Sequence, residues 1–196
     1  ELPPATYVIN PKREGSHYPF RDLSGVGVAF KLVQGLYRKC GQGALLDSFL
    51  KWAAIGTVAD IVPLVDENRI FVREGFRSLS DLADGGLKAL LTEAGVNQQT
   101  ITAEDVYFRI GPRINVAGRL EDPNLIMELF LGQGSEATTI AQSLNTLNSR
   151  RQSIGQKVLK EARRRIEKEG LFRDPVIVVE SDDWHRGVIG IASTKL

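Results

Sequence analysis

Hydrophobic positions along the chain recur mostly at helical spacing. The longest such pattern covers residues 135–169, where apolar side chains follow one another at steps of three, four and seven. This spacing predicts one long helix that ends before Gly170. Similar patterns predict further helices at residues 24–37, 44–58, 66–82, 87–94 and 122–130, and a helix start at Thr102.

Two apolar runs lack this spacing. Residues 5–10 are rich in β-forming side chains and stop at Pro11, and residues 175–179 read Pro-Val-Ile-Val-Val. Continuous apolar runs of this length favour buried strands of a parallel sheet. The second run leads into a Gly-rich passage at residues 184–191, in the strand, loop and helix order that α/β domains use to place ligands. We therefore predict a helix-rich α/β fold.

Composition narrows the class of protein. A hydrophobic share of 42% is ordinary for a folded core, and 196 residues allow one domain or one and a half. The net charge of +1 means that any anion binding must come from local clusters of cations. The single cysteine, Cys40, excludes an internal disulfide and favours a reducing compartment, so we expect a cytoplasmic protein. No apolar run is long enough to cross a membrane.

The first residues do not resemble a natural start. The chain opens on Glu1 without an initiator methionine, its only methionine is Met127, and no secretory signal leads it. We expect a fragment or a processed product.

The stretch Gly111–Leu120 combines glycines, a proline and two arginines. Arg113 and Arg119, with Asn115 between them, could grip the oxygens of one phosphate or of neighbouring phosphates. The alternative is a Pro/Gly turn whose arginines pair with the two carboxylates that directly follow it. Composition leaves both interpretations open.

Arg151 falls on the apolar stripe of the long predicted helix, where leucine would be expected. A cation in that position needs either an acidic partner or a bound phosphate. The neighbouring amides of Asn145, Asn148 and Gln152 are of the kind that orient phosphates.

Asp60 lies between two pairs of apolar residues. An ionised carboxylate is costly to bury unless it caps a helix, pairs with a cation or binds a metal. Capping together with Thr57 and metal ligation both remain open at this point.

His185 and Arg186 lie at the mouth of the helix predicted after the second apolar run. This is a position at which α/β domains bind ligands, and the alternative is a surface turn.

Four stretches together resemble one family. They are residues 10–11 with 18–20 and 23–32, residues 56–64, residues 111–120 and residues 184–191, and residues 147–152 add to the match. In order and spacing they resemble the RecJ family of single-strand-specific DNA exonucleases, within the DHH phosphoesterase superfamily. Each motif is weak alone, and their combination is specific.

The resemblance implies a nuclease that uses Mn²⁺ or Mg²⁺ and hydrolyses single-stranded DNA from its 5′ end to mononucleotides, in DNA repair and recombination. It implies that Asp60 is a metal ligand and catalytic residue. It further implies that the DNA backbone and its phosphates are held by Arg113, Asn115, Gly118, Arg119, Arg151, His185, Arg186 and Gly187.

The same resemblance implies a division of the chain. Residues 1–132 would be the later part of a DHH domain, residues 133–170 a connecting helix, and residues 171–196 the start of a DHH-associated domain. The family's upstream Asp-x-Asp and Asp-His-His ligands are not in this chain, and residues 191–196 depart from its pattern. We therefore expect the chain alone to be inactive.

Two other functions remain open. One is a DHH phosphodiesterase for short RNAs or cyclic dinucleotides. The other is a non-catalytic scaffold that binds DNA strands, and other recombination or repair proteins are possible partners of either the nuclease or the scaffold.

Overall fold

The structure is a computed structural model that describes residues 3–41, 46–79 and 85–196. Its helices in chain order are α1 Gly25–Lys39, α2 Asp47–Ala59, α3 Asp66–Arg77, α4 Gly86–Glu93, α5 Ala103–Asp105, α6 Gly111–Leu120, α7 Asn124–Leu131, α8 Gly134–Glu169 and α9 Arg186–Ser193. A π-helical turn, Val106–Ile110, joins α5 to α6. The helix-rich part of the predicted fold is confirmed.

Helix ends follow the local signals in the sequence. Thr102 begins α5 with a capping box that it forms with Asp105. Gly170 ends α8 in the left-handed conformation, at φ 69°, which glycine adopts without strain. The predicted start of one helix at Ala44 and the predicted end of another at Leu82 lie outside the described residues.

The two predicted strands do not form within the described residues. Tyr7 and Val178 are 86% and 77% exposed, so neither segment is buried. A strand exists only when a neighbouring strand accepts and donates its backbone hydrogen bonds, and the described part of the chain offers no such partner. Apolar composition alone was therefore insufficient for the prediction.

The segment Gly111–Leu120 is also not the turn that its composition suggested, because it forms helix α6. Pro112 directly follows the π-helical turn Val106–Ile110, which is an irregular place in a helical run that continues from Ala103 to Leu120. Gly111 is buried, and a Cβ there would meet Val106 O at 3.1 Å and Ala59 Cβ at 3.4 Å. Close packing therefore explains why position 111 is a glycine.

The chain divides into two compact units, Glu1–Ala83 with Gly95–Gly111 and Asp84–Ala94 with Pro112–Leu196. In the first unit, α2 packs on α1 and α3 around a core that includes Phe30, Ala53 and Phe71. In the second, α8 packs against α4, α7 and α9. The three-part domain division implied by the family resemblance stays a prediction.

A buried hydroxyl pair ties α1 to α2 in the first unit. Ser24 Oγ caps α1 by accepting from the Gly27 N–H at 3.1 Å, and it lies 2.9 Å from Thr57 Oγ1. The hydroxyl of Thr57 is therefore hydrogen-bonded to Ser24, and the side chain of Ser24 caps the N-terminus of α1.

A half-buried polar cluster of the same unit was not predicted from the sequence. Glu67 accepts from Tyr18 Oη at 2.6 Å and from Lys31 Nζ at 2.7 Å. Burial raises the pKa of Glu67, but the hydrogen bonds from Lys31 and Tyr18 outweigh it and leave the pKa below its usual value.

Within the described residues, no helix is both long and apolar enough to span a bilayer.

Candidate functional site

Arg113 on α6 is held by a side chain of α8. Its Nε and Nη2 donate to Asn145 Oδ1 at 3.1 and 2.7 Å. Two donors on one acceptor fix the plane of the guanidinium group. In the sequence Asn145 is only one of several amides near Arg151, because nothing local shows which distant side chain it will meet.

Arg119, near the end of α6, contacts the start of α9. Its Nη1 donates to the carbonyl oxygen of Gly187 at 3.1 Å. A Cβ at Gly187 would lie 2.3 Å from the carbonyl oxygen of Arg119, so only glycine allows this approach. Gly187 thus positions Arg119, which is a more specific role than the general one implied by the family resemblance.

His185 caps α9. Its Nδ1 accepts from the Gly187 backbone N–H at 3.1 Å, which leaves Nε2 to carry the proton of the neutral ring and to act as a donor. His185 and Arg186 are both exposed at this helix start. The two residues therefore present donors next to Gly187, to which Arg119 is bonded.

Arg151 is the unusual residue of the group. It is half-buried on α8, and its Nε is buried without a hydrogen-bond partner. Burial, and then repulsion from the Arg119 guanidinium, lower the pKa of Arg151. No carboxylate of the described residues offsets this, so the acidic partner that the sequence allowed is not there.

An unpaired buried donor is expensive. Leaving such a group unsatisfied costs about 1–3 kcal/mol. Asn148, one helical turn before Arg151, is also buried, and its Oδ1 has no partner. The two unsatisfied atoms mark a place where the described protein atoms alone do not complete the hydrogen bonding.

The exposed residues of α6 contribute to the same unit. Asn115, Gly118 and Arg119 follow one another at steps of three and one, so they share one side of the helix, and all three are exposed. A Cβ at Gly118 would meet only Pro123 Cβ, at 3.9 Å. Glycine inside a helix costs about 1 kcal/mol relative to alanine. Packing therefore does not explain Gly118.

Asp60 belongs to the other unit and is exposed, not buried as its apolar neighbours suggested. It is the C-cap of α2, where its backbone N–H donates to Gly56 O at 3.0 Å. A carboxylate at a helix C-terminus opposes the helix dipole, so Asp60 does not stabilise α2. The next residue, Ile61, has φ 56°, which is strained for a β-branched side chain.

The described residues do not form a complete metal centre. No three of their histidine, cysteine, aspartate or glutamate side chains come together. Asp60 is thus a single candidate ligand, and one carboxylate does not hold two divalent cations.

The chain is similar in sequence to known proteins along its whole length. The chain is 39% identical to the single-stranded-DNA-specific exonuclease RecJ of Bacillus subtilis over 197 residues, which cover 100% of this chain and 24% of that protein. It is 35% identical to RecJ of Escherichia coli, with 100% of this chain and 36% of that protein covered. This chain is homologous to RecJ over its whole length. No family model matches it.

Solved structures agree with the sequence comparison. RecJ of Thermus thermophilus crystallised with Mg²⁺ superimposes with a TM-score of 0.77 at 31% identity, covering 91% of this chain and 28% of that one. A RecJ structure bound to manganese gives a TM-score of 0.78 and covers 45% of that chain. The chain thus spans between about a quarter and about a third of the curated RecJ relatives named above. The helix-rich fold is that of part of RecJ.

Proposed function

We propose that this chain is part of a single-stranded-DNA exonuclease that works from 5′ to 3′ and releases 5′-mononucleotides. Its process would be DNA repair and recombination in the cytoplasm. Within that enzyme, the chain supplies the side chains that hold the DNA backbone. The homology to RecJ exonucleases along the whole chain supports the enzyme class.

The main support for binding of the DNA backbone is the Arg119–Arg151 pair. Two guanidinium groups lie close enough for one to lower the pKa of the other, and one of them keeps a buried donor unpaired. A phosphate between them would offset the repulsion and accept from the unpaired Nε. Guanidinium groups match phosphate oxygens in both charge and geometry.

The surrounding residues suit the same ligand. Asn145 holds Arg113 in place, while His185 and Arg186 add exposed donors at the start of α9. The open space at Gly118 allows a backbone to approach α6. We assign to this group the binding of phosphates and of the strand end.

The metal is the part that this chain does not supply. In RecJ-type enzymes we expect Mn²⁺ or Mg²⁺ to activate water and to neutralise charge on the phosphate. Asp60 would be one ligand, because it is an exposed carboxylate without a helix-stabilising role. The remaining ligands must lie elsewhere in the complete protein, so we expect the 196-residue chain alone to show no hydrolysis.

Direct binding tests the backbone role. Fluorescence anisotropy of the 196-residue chain with labelled single-stranded DNA should show saturable binding that weakens with salt. Changing both Arg119 and Arg151 to leucine should weaken it by far more than changing two exposed cations of α1, Arg38 and Lys39. Equal losses in both double variants would contradict a site at the Arg119–Arg151 pair.

A non-catalytic scaffold is the second candidate, since the unpaired Nε of Arg151 and the exposed donors at the start of α9 would hold a strand whether or not the strand is cleaved. A scaffold would bind the strand through the same arginines without hydrolysis by the complete protein. Recombination and repair proteins as partners stay a prediction for either function.

A further inference from the structure

The second half of α8 concentrates positive charge. Residues 150–169 include eight lysines and arginines against three glutamates, a surplus of five, while the whole chain has a net charge of +1. The remaining residues are therefore net acidic. Such a local excess of cations attracts polyanionic partners.

Five of these cations share one side of the helix. Successive α-helical residues turn by about 100°, which places these five within an arc of about 80° over a length of about 27 Å. All five are exposed: Arg150, Lys157, Lys160, Arg164 and Lys168. We call this set the basic stripe. It points away from the buried side of α8, which includes Val158 and Ala162.

Acidic residues of α8 offset the basic stripe only in part. Glu161, beside the stripe, is close enough to Arg164 for that cation to help lower the pKa of Glu161, but its carboxylate oxygens accept hydrogen bonds from Arg165 at 2.7 Å and from Trp184 Nε1 at 3.0 Å. Glu167 is exposed at the edge of the stripe and is one acid near five cations. Across the described residues, no ion pair joins a stripe cation to a carboxylate.

We propose that the basic stripe binds the sugar–phosphate backbone of a single-stranded nucleic acid, as a contact additional to the Arg119–Arg151 pair. The proposal rests on the proposed function, since a nuclease must hold the strand beyond the bond it cleaves. Lys160, Arg164 and Lys168 follow one another at about one helical turn, or about 6 Å per step. A regular row of cations suits the regular row of phosphates on an extended strand.

The chemistry of the stripe also limits what it recognises. It contains no aromatic side chain on which a base could stack. Lysine and arginine contacts to phosphates carry no sequence information. The stripe should therefore bind strands of any sequence and should contribute only to strands long enough to reach it.

A salt titration of binding by the 196-residue chain tests this. The double variant Lys160→Gln/Arg164→Gln removes two stripe cations, and Arg38→Gln/Lys39→Gln removes two exposed cations from the end of α1 as the matched control. For a strand of about 30 nucleotides, the slope of log K against log salt should fall by about 1.4 in the stripe variant, from about 0.7 per lost phosphate contact. For a strand of about six nucleotides, the slope measured with the stripe variant should stay near the slope measured with the unmodified chain.

The outcomes separate this proposal from the function on which it rests. Unchanged binding of the long strand in the stripe variant, or an equal loss in the control, would overturn the stripe while leaving the Arg119–Arg151 pair to be judged by its own variants. Polyglutamate serves as a second polyanion in the same titration. If the stripe variant lost binding to polyglutamate while its DNA binding stayed intact, the stripe would be reassigned to an acidic protein and the proposal would be overturned. Loss of long-strand binding in the stripe variant, with Arg119 and Arg151 dispensable, would support the stripe and refute the pair.

Discussion

Replacing Arg151 by leucine should make the chain more stable and a poorer DNA binder. The substitution removes a buried Nε without a partner and relieves the repulsion from Arg119. Leucine and arginine have similar helix propensities, so α8 itself should be little affected. The apolar stripe of α8 would then continue without interruption.

The magnitudes follow from the same observations. An unsatisfied buried donor costs about 1–3 kcal/mol, and leucine avoids this cost. Each kcal/mol changes Tm by about 2–4 °C in a chain of this size, so Tm should rise by at least about 2 °C. A charge-assisted hydrogen bond to phosphate is worth about 1.5–3 kcal/mol, so Kd for a short single strand should rise about tenfold to a hundredfold.

Differential scanning fluorimetry and anisotropy measure the two effects on the same samples. Arg150→Leu is the control for stability, because Arg150 is an exposed neighbour on the same helix and should give no gain in Tm. A water that bridges Asn148 and Arg151 would satisfy both atoms without any ligand. If Arg151→Leu lowered Tm and left Kd unchanged, that structural explanation would replace the phosphate site.

Two further predictions test the supporting structure. Gly187→Ala should lower Tm and weaken DNA binding, because the added Cβ would overlap the carbonyl group of Arg119. Gly190→Ala on the same helix is the control: its Cβ meets no atom within 4 Å, so it should be neutral or stabilising. If the two variants behaved equally in thermal melts and anisotropy, the α6–α9 contact would be unimportant. Glu67 has a lowered pKa, so its contribution to stability is present above its unfolded value of 4.5 and is lost as pH falls through the folded pKa. Tm should therefore fall less steeply below pH 4.5 in Glu67→Gln than in the unmodified chain, and parallel pH curves would refute the role of the Tyr18–Lys31–Glu67 cluster.

The helices could be predicted because the information for a helix is local. Apolar spacing and end signals such as Thr102 and Gly170 act within a few residues, and a helix satisfies its own backbone. Residues 175–179 carry the composition of a strand but need a partner, which composition does not supply. In Gly111–Leu120, a proline placed just after the π-helical turn and a glycine required by packing have the composition of a turn, although the segment is helical.

The candidate site was predicted in its residue types more than in its geometry. Arg151 was visible as a cation on an apolar stripe, and the structure removes the acidic alternative within the described residues. The partners Asn145 and Gly187 depend on contacts across 32 and 68 positions of the chain, which no local pattern encodes. Asp60 lies between apolar residues in the sequence, but its position at the end of α2 exposes it.

The proposed place of this chain in a metal-dependent exonuclease can be tested on the complete protein, unmodified and with Asp60→Ala, incubated with Mn²⁺ and single-stranded DNA labelled at the 5′ end. We expect rapid release of labelled mononucleotide by the unmodified protein and none by the variant. Strand binding without any release by the unmodified protein would contradict this proposal, and so would undiminished release by the variant.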